Sequence, residues 1–576
     1  MTWKWNAVCL TVLLSGLSPI SLSGQARTGA GVKLAPELRS AAAPGTNIDV
    51  IVQYRRVPNP EDHRKLTARG AILRAELTGI QSRAYTLSPS LLTDLENDAD
   101  VLYVSPNRQL AGLLDYAEPT TNALIAFNNG FDGSGIGVAV IDSGISTNGD
   151  LTGAKGQRVV YSESFIPGGT NDLYGHGQHV AGIVGSNASQ SLGPGYTRIF
   201  RGIAPNANLI NLRVLDSNGS GTDLNVILAI LRAIELKDFY NIKVINLSLG
   251  RPVYESYRLD PLCQAVELAW RSGIVVVAAA GNEGRNNTAG TSGYATIMAP
   301  GNDPLVITVG AMKDMETLTR ADDLIASYSS KGPTLIDHVV KPDVVAPGNR
   351  IISDLAPGSY LVTTYPGNIV APSYYETPSF LHNPSNYFTL SGTSMATPMV
   401  SGAAALILQK DPSLTPDTIK ARLMKSATKT FPQYSTAVDP VTGISYTSQY
   451  DIFTIGAGYI DIWAAMNNTD TLPGFFSGTA ASPIATFSGG SVYVVNANNA
   501  VWGSNAVWGS NAVWGSSVFV SSNNAVWGST AVWGSNAVWG STTVSGSNAV
   551  WGSNAVWGSS ATPSAESVTI LINGEK

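Results

Sequence analysis

The feature that most limits the fold is a set of short apolar runs between residues 119 and 466. Gly137-Val-Ala-Val-Ile-Asp142, Asn208-Leu-Ile-Asn-Leu-Arg-Val-Leu215, Lys243-Val-Ile-Asn-Leu-Ser248 and Gly273-Ile-Val-Val-Val-Ala-Ala279 carry apolar residues at both odd and even positions. A strand with two apolar faces is stable only when both are covered. Helical stretches over 223–237 and 261–271 separate the runs and supply that cover. They are also long enough to return the chain for parallel pairing. The pattern predicts an α/β domain, with a mostly parallel central sheet between helical layers. A run such as 274–280 is too short to span a bilayer, so the apolar content does not indicate a membrane protein.

The flanks read differently. Residues 1–26 have a positive Lys4, an apolar run over 7–17 and then small residues, the pattern of a secretory signal peptide. The chain is therefore expected to be exported and extracellular. Residues 27–118 suggest a small α+β domain, with strands at 47–54, 83–88 and 101–105 and helices at 60–69 and 89–97. Residues 468–576 form a third segment. From 471 to 565 it has no Asp, Glu, Lys or Arg, and it contains eight copies of Val-Trp-Gly-Ser, mostly within the hexapeptide Asn-Ala-Val-Trp-Gly-Ser. Six is an even period, so in an extended chain Trp, Ser and Ala share one side. A stacked solenoid-like sheet, a flexible coil, and a Trp surface that grips polysaccharide or a cell surface all remain open readings. Residues 567–573 look strand-like.

Charged residues are only 13% of the chain and the net charge is −6, which excludes the basic face of a nucleic-acid binder. Of the two cysteines, Cys9 lies in the signal segment. Cys263 then has no intramolecular disulfide partner, and its helical neighbours place it in the core. His179 stands three residues after His176; zinc helices space their histidines by four, so His179 reads as structural. Gly133-Ser-Gly-Ile-Gly137 precedes a strand rather than following one, so it reads as a turn and not a nucleotide loop.

In open parallel sheets, sites form beyond the carboxyl ends of the strands. Polar residues stand at several of these ends. Asp142 closes the first strand, Ser248 to Gly250 follow another, and Asn282 follows the apolar run in Ala-Ala-Ala-Gly-Asn-Glu-Gly. His176 opens a helical stretch in Gly175-His-Gly-Gln-His-Val-Ala-Gly182, and Ser394 lies in Ser391-Gly-Thr-Ser-Met-Ala-Thr-Pro398 before a small-residue helix. A serine hydroxyl becomes a useful nucleophile when a base takes its proton and a third group orients that base. Ser394, His176 and Asp142 can fill those roles. The Asn282 amide and the Ser394 backbone N–H can stabilise an oxyanion.

These four segments, in the order Asp, His, Asn, Ser, resemble the signature blocks of the subtilisin-like serine proteases. Lys341-Pro-Asp-Val-Val-Ala-Pro-Gly348 and Gly456-Ala-Gly-Tyr-Ile-Asp461 resemble further family blocks, and the likeness spans a catalytic domain over 119–467. The resemblance implies a serine endopeptidase acting on protein or peptide substrates through an acyl-enzyme, with no cofactor for the chemistry. Ser248, Leu249 and Gly250 would pair with the substrate backbone as an added strand. Ala279, Ala280 and Gly281 would line the main specificity pocket, with Glu283 at its rim. Residues 27–118 resemble an inhibitory propeptide, an intramolecular partner removed by self-cleavage within 109–118. The enzyme is expected to be a monomer. Structural calcium is left open, with Asp150 the single candidate ligand.

The sequence also departs from the family. Gln178 stands where Thr is usual, and residues 359–386 form a Tyr- and Pro-rich excursion expected at the active-site rim. A rival reading makes the chain a surface adhesin, with the protease fold as scaffold and the Trp repeats as the working part.

Overall fold

A computed structural model of the chain describes residues 33–34, 38, 47–77, 81–106, 116–153, 156–286, 291–377, 384–439, 442–472, 480–488, 491–495, 519–521 and 565–575. The signal-like segment, the Val-Trp-Gly-Ser repeats and most of the stretch where self-cleavage is expected lie outside these residues. The chain divides into two compact units, 1–110 and 111–576.

The first unit runs β1 (Ile48–Tyr54), α1 (Pro60–Thr67), β2 (Ile72–Leu77), β3 (Ser82–Leu87), α2 (Leu92–Asn97) and β4 (Val101–Pro106). The sheet order is β2-β3-β1-β4 and every pairing is antiparallel. This is a split β-α-β arrangement. Helix α1 starts at a capping box, with Asn59 accepting from the Asp62 amide and Asp62 from the Asn59 amide. Val50, Val52, Tyr85, Leu87, Val101 and Val104 form the core. Strand β2 escaped the sequence reading because it is a largely exposed edge, whose Arg74 and Glu76 break the apolar pattern.

The second unit is built on an eight-stranded sheet. Its elements include β5 (Gly137–Asp142), β6 (Val159–Ser164), α3 (His176–Gly185), β7 (Asn208–Arg213), α4 (Asp223–Leu236), β8 (Ile242–Leu247), α5 (Pro261–Arg271), β9 (Val275–Ala279), β10 (Ile307–Lys313), β11 (Leu324–Ile325) and β12 (Val344–Pro347). The order is β11-β10-β9-β8-β5-β7-β6, with β12 also paired to β10. Only the β10–β11 pairing is antiparallel. The expected mostly parallel α/β sheet is therefore present, and β5, β8 and β9 are fully buried along nearly their whole length. Helix α6 (Thr393–Lys410) is buried over most of its length, from Met395 to Leu408. Its Ala and Gly residues let it lie close to the neighbouring backbone.

Residues 565–573 form a helix, α7 (Ala565–Asn573), not the strand expected from Val568, Thr569, Ile570 and Ile572. Ile570 and Leu571 join the core of the second unit. Tertiary burial of an apolar helix face outweighs the preference of β-branched residues for strands.

Candidate active site

Parallel pairing aligns the ends of β5, β8 and β9. Asp142, closing β5, is buried, and its Oδ1 lies 2.8 Å from His176 Nδ1 and accepts from the Ser143 amide at 2.8 Å. His176 is the first residue of α3 and is itself buried. Burial pulls the imidazole pKa down, but the charge and hydrogen bond of Asp142 outweigh it and leave the value above the ordinary 6.5.

The approach to α3 is organised by a residue that sequence reasoning missed. Asp172 is buried and accepts from the amides of Tyr174, Gly175 and Gln178 at 3.0, 2.7 and 2.8 Å. These include open donors of the first helical turn. Asp172 also accepts from Ser143 Oγ at 2.8 Å, which ties the Asp142 strand end to the His176 helix. An aspartate four residues before the histidine was the available signal.

Ser394 lies in the first turn of α6. Pro398 has no N–H, so the Ser394 carbonyl has no helical donor four residues on. Ser248 Oγ fills that place at 2.7 Å, and Ser394 Oγ donates in return to the Ser248 carbonyl at 3.0 Å. In this state the serine hydroxyl is therefore held by the strand end and not by His176. Behind it, Ser401 Oγ donates to Asn246 Oδ1 at 2.8 Å, and Asn246 Nδ2 donates to Ser248 Oγ at 3.0 Å. Asn282 faces the same helix start. Its Oδ1 accepts from the Thr393 amide at 2.9 Å and from Thr393 Oγ1 at 3.1 Å. Its amide oxygen is thus engaged, and Nδ2 is left to donate elsewhere.

The residues expected to bind substrate lie along this edge. Ser248 is buried, Leu249 half-buried and Gly250 exposed. Ala279, Ala280 and Gly281 are buried, and Glu283 is half-buried with its amide donating to Ser330 Oγ at 3.0 Å. Met298 escaped sequence reasoning. A Cβ built on Gly281 would stand 2.8 Å from Met298 Cγ, and one on Gly250 would stand 3.2 Å from Met298 Cβ. The methionine therefore lies against both glycines and makes the space between them apolar. No local pattern marks it.

The remaining expectations find definite places. Gln178 is buried and its Oε1 accepts from the Ser146 amide at 2.8 Å. His179 is buried with Nε2 against the carbonyls of Ile351 and Phe388, each at 3.0 Å, and burial followed by the neighbouring His176 pulls its pKa to about 3. It is a neutral structural residue. Cys263 is free and buried, and burial pushes its thiol pKa well up. The excursion reaches the site: the Tyr360 and Leu361 amides donate to Leu173 and Tyr174, and the Tyr174 ring stacks on Tyr360 at 6.1 Å. Its residues 378–383 lie outside the described residues.

Asp150 does not fit a calcium ligand. Its Oδ1 accepts from Ser189 Oγ at 3.0 Å and the Gln190 amide at 2.6 Å, and its Oδ2 from Ser186 Oγ at 3.2 Å and Tyr387 OH at 2.6 Å. Protein donors occupy both oxygens, whereas calcium needs a shell of oxygen acceptors. Among the described residues, no cluster of three or more His, Cys, Asp or Glu could hold a metal ion.

The family described as the subtilase family matches residues 133–441, a span that includes Asp142, His176, Asn282 and Ser394. Serine protease AprX of Bacillus subtilis is 38% identical over 366 residues, covering 62% of this chain and 76% of the relative. Subtilisin E of the same organism is 34% identical, covering 63% and 80% respectively. A crystal structure of a cold adapted subtilisin-like serine proteinase aligns with 29% identity and a TM-score of 0.37, covering 52% of this chain and 84% of that one. The family match extends over more than half the chain, and relatives above 30% identity are matched along most of their length. The chain belongs to the subtilase family and is a serine-type endopeptidase.

Proposed function

We propose that Ser394, His176, Asp142 and Asn282 are the catalytic residues of a secreted endopeptidase made as a self-processed zymogen. The observation that carries this is the buried Asp142–His176 hydrogen bond of 2.8 Å at the start of α3, a helix packed against α6, whose first turn carries Ser394 and whose Thr393 engages Asn282 Oδ1. Asp142 holds the imidazole with its Nδ1 proton inward, so Nε2 is the basic atom. Substrate backbone lies along Ser248 to Gly250. Ser394 Oγ leaves the Ser248 carbonyl, gives its proton to His176 Nε2 and attacks the scissile carbonyl carbon. The carbonyl oxygen becomes an oxyanion between Asn282 Nδ2 and the Ser394 N–H, at the positive end of α6. Collapse breaks the C–N bond, and the leaving amine takes the proton back from His176. Water then hydrolyses the acyl-enzyme by the same steps in reverse roles. No metal or cofactor takes part in these steps.

The side-chain pocket is formed by Ala279, Ala280 and Gly281 with Met298, and it takes an apolar substrate residue, with Glu283 at its rim. Residues 1–26 direct export, residues 27–118 restrain the catalytic unit, and cleavage within 109–118 releases it. A fluorophosphonate probe tests the chemistry: it should label the mature protein at Ser394, and Ser394→Ala should remove both label and peptidase activity. Labelling at full rate in Ser394→Ala would refute the assignment.

A further inference from the structure

The segment after the Trp repeats is not peripheral. It contributes a buried carboxylate directly behind the loops that carry Ser394 and Asn282. Helix α7 ends at Asn573, and Gly574, at φ +59, turns the chain inward. The Gly574 amide closes on the Ile570 carbonyl at 2.9 Å, and a side chain at 574 would meet Ser391 Oγ. Glu575 then enters the second unit and is 1% exposed. Its Oε1 accepts from Arg285 Nη2 at 2.7 Å, from the Ser327 amide at 3.0 Å and from Ser327 Oγ. Its Oε2 lies 3.2 Å from Lys313 Nζ. Asn349 grips the Glu575 backbone twice, accepting from the amide at 2.7 Å and donating to the carbonyl at 2.8 Å.

This is a built cationic socket. Arg285 and Lys313 are both buried, and Arg285 also pairs with buried Asp439. A buried charge is tolerated only when paired and hydrogen-bonded, and Glu575 supplies the second negative charge opposite two cations. The socket also belongs to the catalytic loops. Arg285 stands three residues after Asn282 on the same loop. The last-turn carbonyls of α7, which a helix leaves open, are taken by this unit: Ser391 N–H donates to the Leu571 carbonyl at 2.9 Å, and Asn368 Nδ2 to the Ile572 carbonyl at 2.6 Å. Ser391 in turn accepts from the Arg350 amide at 2.8 Å, three residues before Ser394. One short segment therefore reaches both the loop of the oxyanion donor and the loop of the nucleophile.

We propose that residues 570–575 are an internal clamp, in which Glu575 docked between Arg285, Lys313, Ser327 and Asn349 positions the Ser394 and Asn282 loops for catalysis. Glu575 touches no substrate; it is a positioning residue, and this role rests on the serine-protease reading. The chain is also held ahead of the repeats, where the Ser482 amide donates to the Pro304 carbonyl at 2.8 Å and Ile484 bridges Val339. The chain is thus held by the same unit on both sides of the repeats, and a single cut within them would not by itself release the clamp.

Two measurements on the full chain test this. In the first, Glu575→Gln should lower kcat on a peptide substrate about 10-fold while KM moves less than about 2-fold, with fluorophosphonate labelling slowed in parallel. Glu575→Asp should recover part of the loss. In the second, a single specific cleavage site is placed in the repeats of the Ser394→Ala chain. After nicking, the fragment carrying 565–576 should co-elute with the remainder, and Glu575→Gln should release it. A Glu575→Gln enzyme with lower thermal stability but unchanged kcat and labelling would overturn the positioning role. Release of the nicked fragment with Glu575 intact would overturn the clamp. Failure of the otherwise unaltered enzyme to take the label would refute the serine-protease reading instead, and co-elution would still decide the docking.

Discussion

His176 has two opposed influences on its proton. Burial disfavours the imidazolium, and Asp142 at 2.8 Å favours it more strongly. A base must be neutral to accept the serine proton, so activity rises as pH increases through the His176 pKa. We expect kcat/KM to climb through one ionisation above 6.5, and Asp142→Asn to move the inflection lower as well as reduce the rate. An unmoved inflection in that variant would separate the carboxylate from the titration. Met298 is the second residue with a specific consequence. Its side chain lies against Gly250 and Gly281, so in the proposed pocket it would limit the depth open to an apolar substrate residue. Met298→Ala should shift preference toward larger apolar side chains, by about 10-fold in relative kcat/KM, the worth of roughly one or two buried methylenes. A peptide-library digest with an unchanged profile would place the pocket elsewhere.

Among the elements, the block 341–348 shows how buried charge joins distant pieces. Asp343 is fully buried. It lies 2.7 Å from Lys341 Nζ and 3.2 Å from Lys420 Nζ, its Oδ2 accepts from the Thr308 amide at 2.8 Å, and its Oδ1 accepts from Ser482. One carboxylate thus links strands β10 and β12, the helix Pro416–Ser426 and the segment entering the repeats. Burial raises its pKa, but the two lysines outweigh that and hold it below the ordinary 3.8. Its contribution is complete above that value and is lost as pH falls through the lower folded value. Asp343→Asn should lower stability by about 3–5 kcal/mol, because two buried cations lose their partner. Denaturant unfolding measures this, and a change within about 0.5 kcal/mol would show that the lysines find other partners.

For the molecule as a whole, the first unit has its own core and an unbroken antiparallel sheet, as a separately folding segment requires. If it is a propeptide cut by the catalytic unit, Ser394→Ala should accumulate a precursor that retains residues 47–110. Normal trimming of that variant, seen by mass spectrometry, would assign the cut to another protease. The layered α/β architecture was legible from the doubly apolar strands, and the four proposed site residues were picked out by their places at strand ends and helix starts. Asn246, Ser401 and Met298 were not legible, because their contacts join segments far apart in the chain and repeat at no period; Asp172 left only its spacing from His176 as a signal.

The amino-acid sequence alone sufficed for the doubly apolar strands β5, β7, β8 and β9, the starts of α1, α3, α4 and α5, and the order of the Asp, His, Asn and Ser blocks. These depend on local periodicity and on residues adjacent in the chain. Tertiary structure alone decided that the Ser394 hydroxyl rests on Ser248, that Asp150 is filled by protein donors, and that residues 565–573 are helical. It also decided that Glu575 meets Arg285. Contacts between positions so far apart leave no trace in local pattern, because they form only when folding closes the long stretch of chain between them.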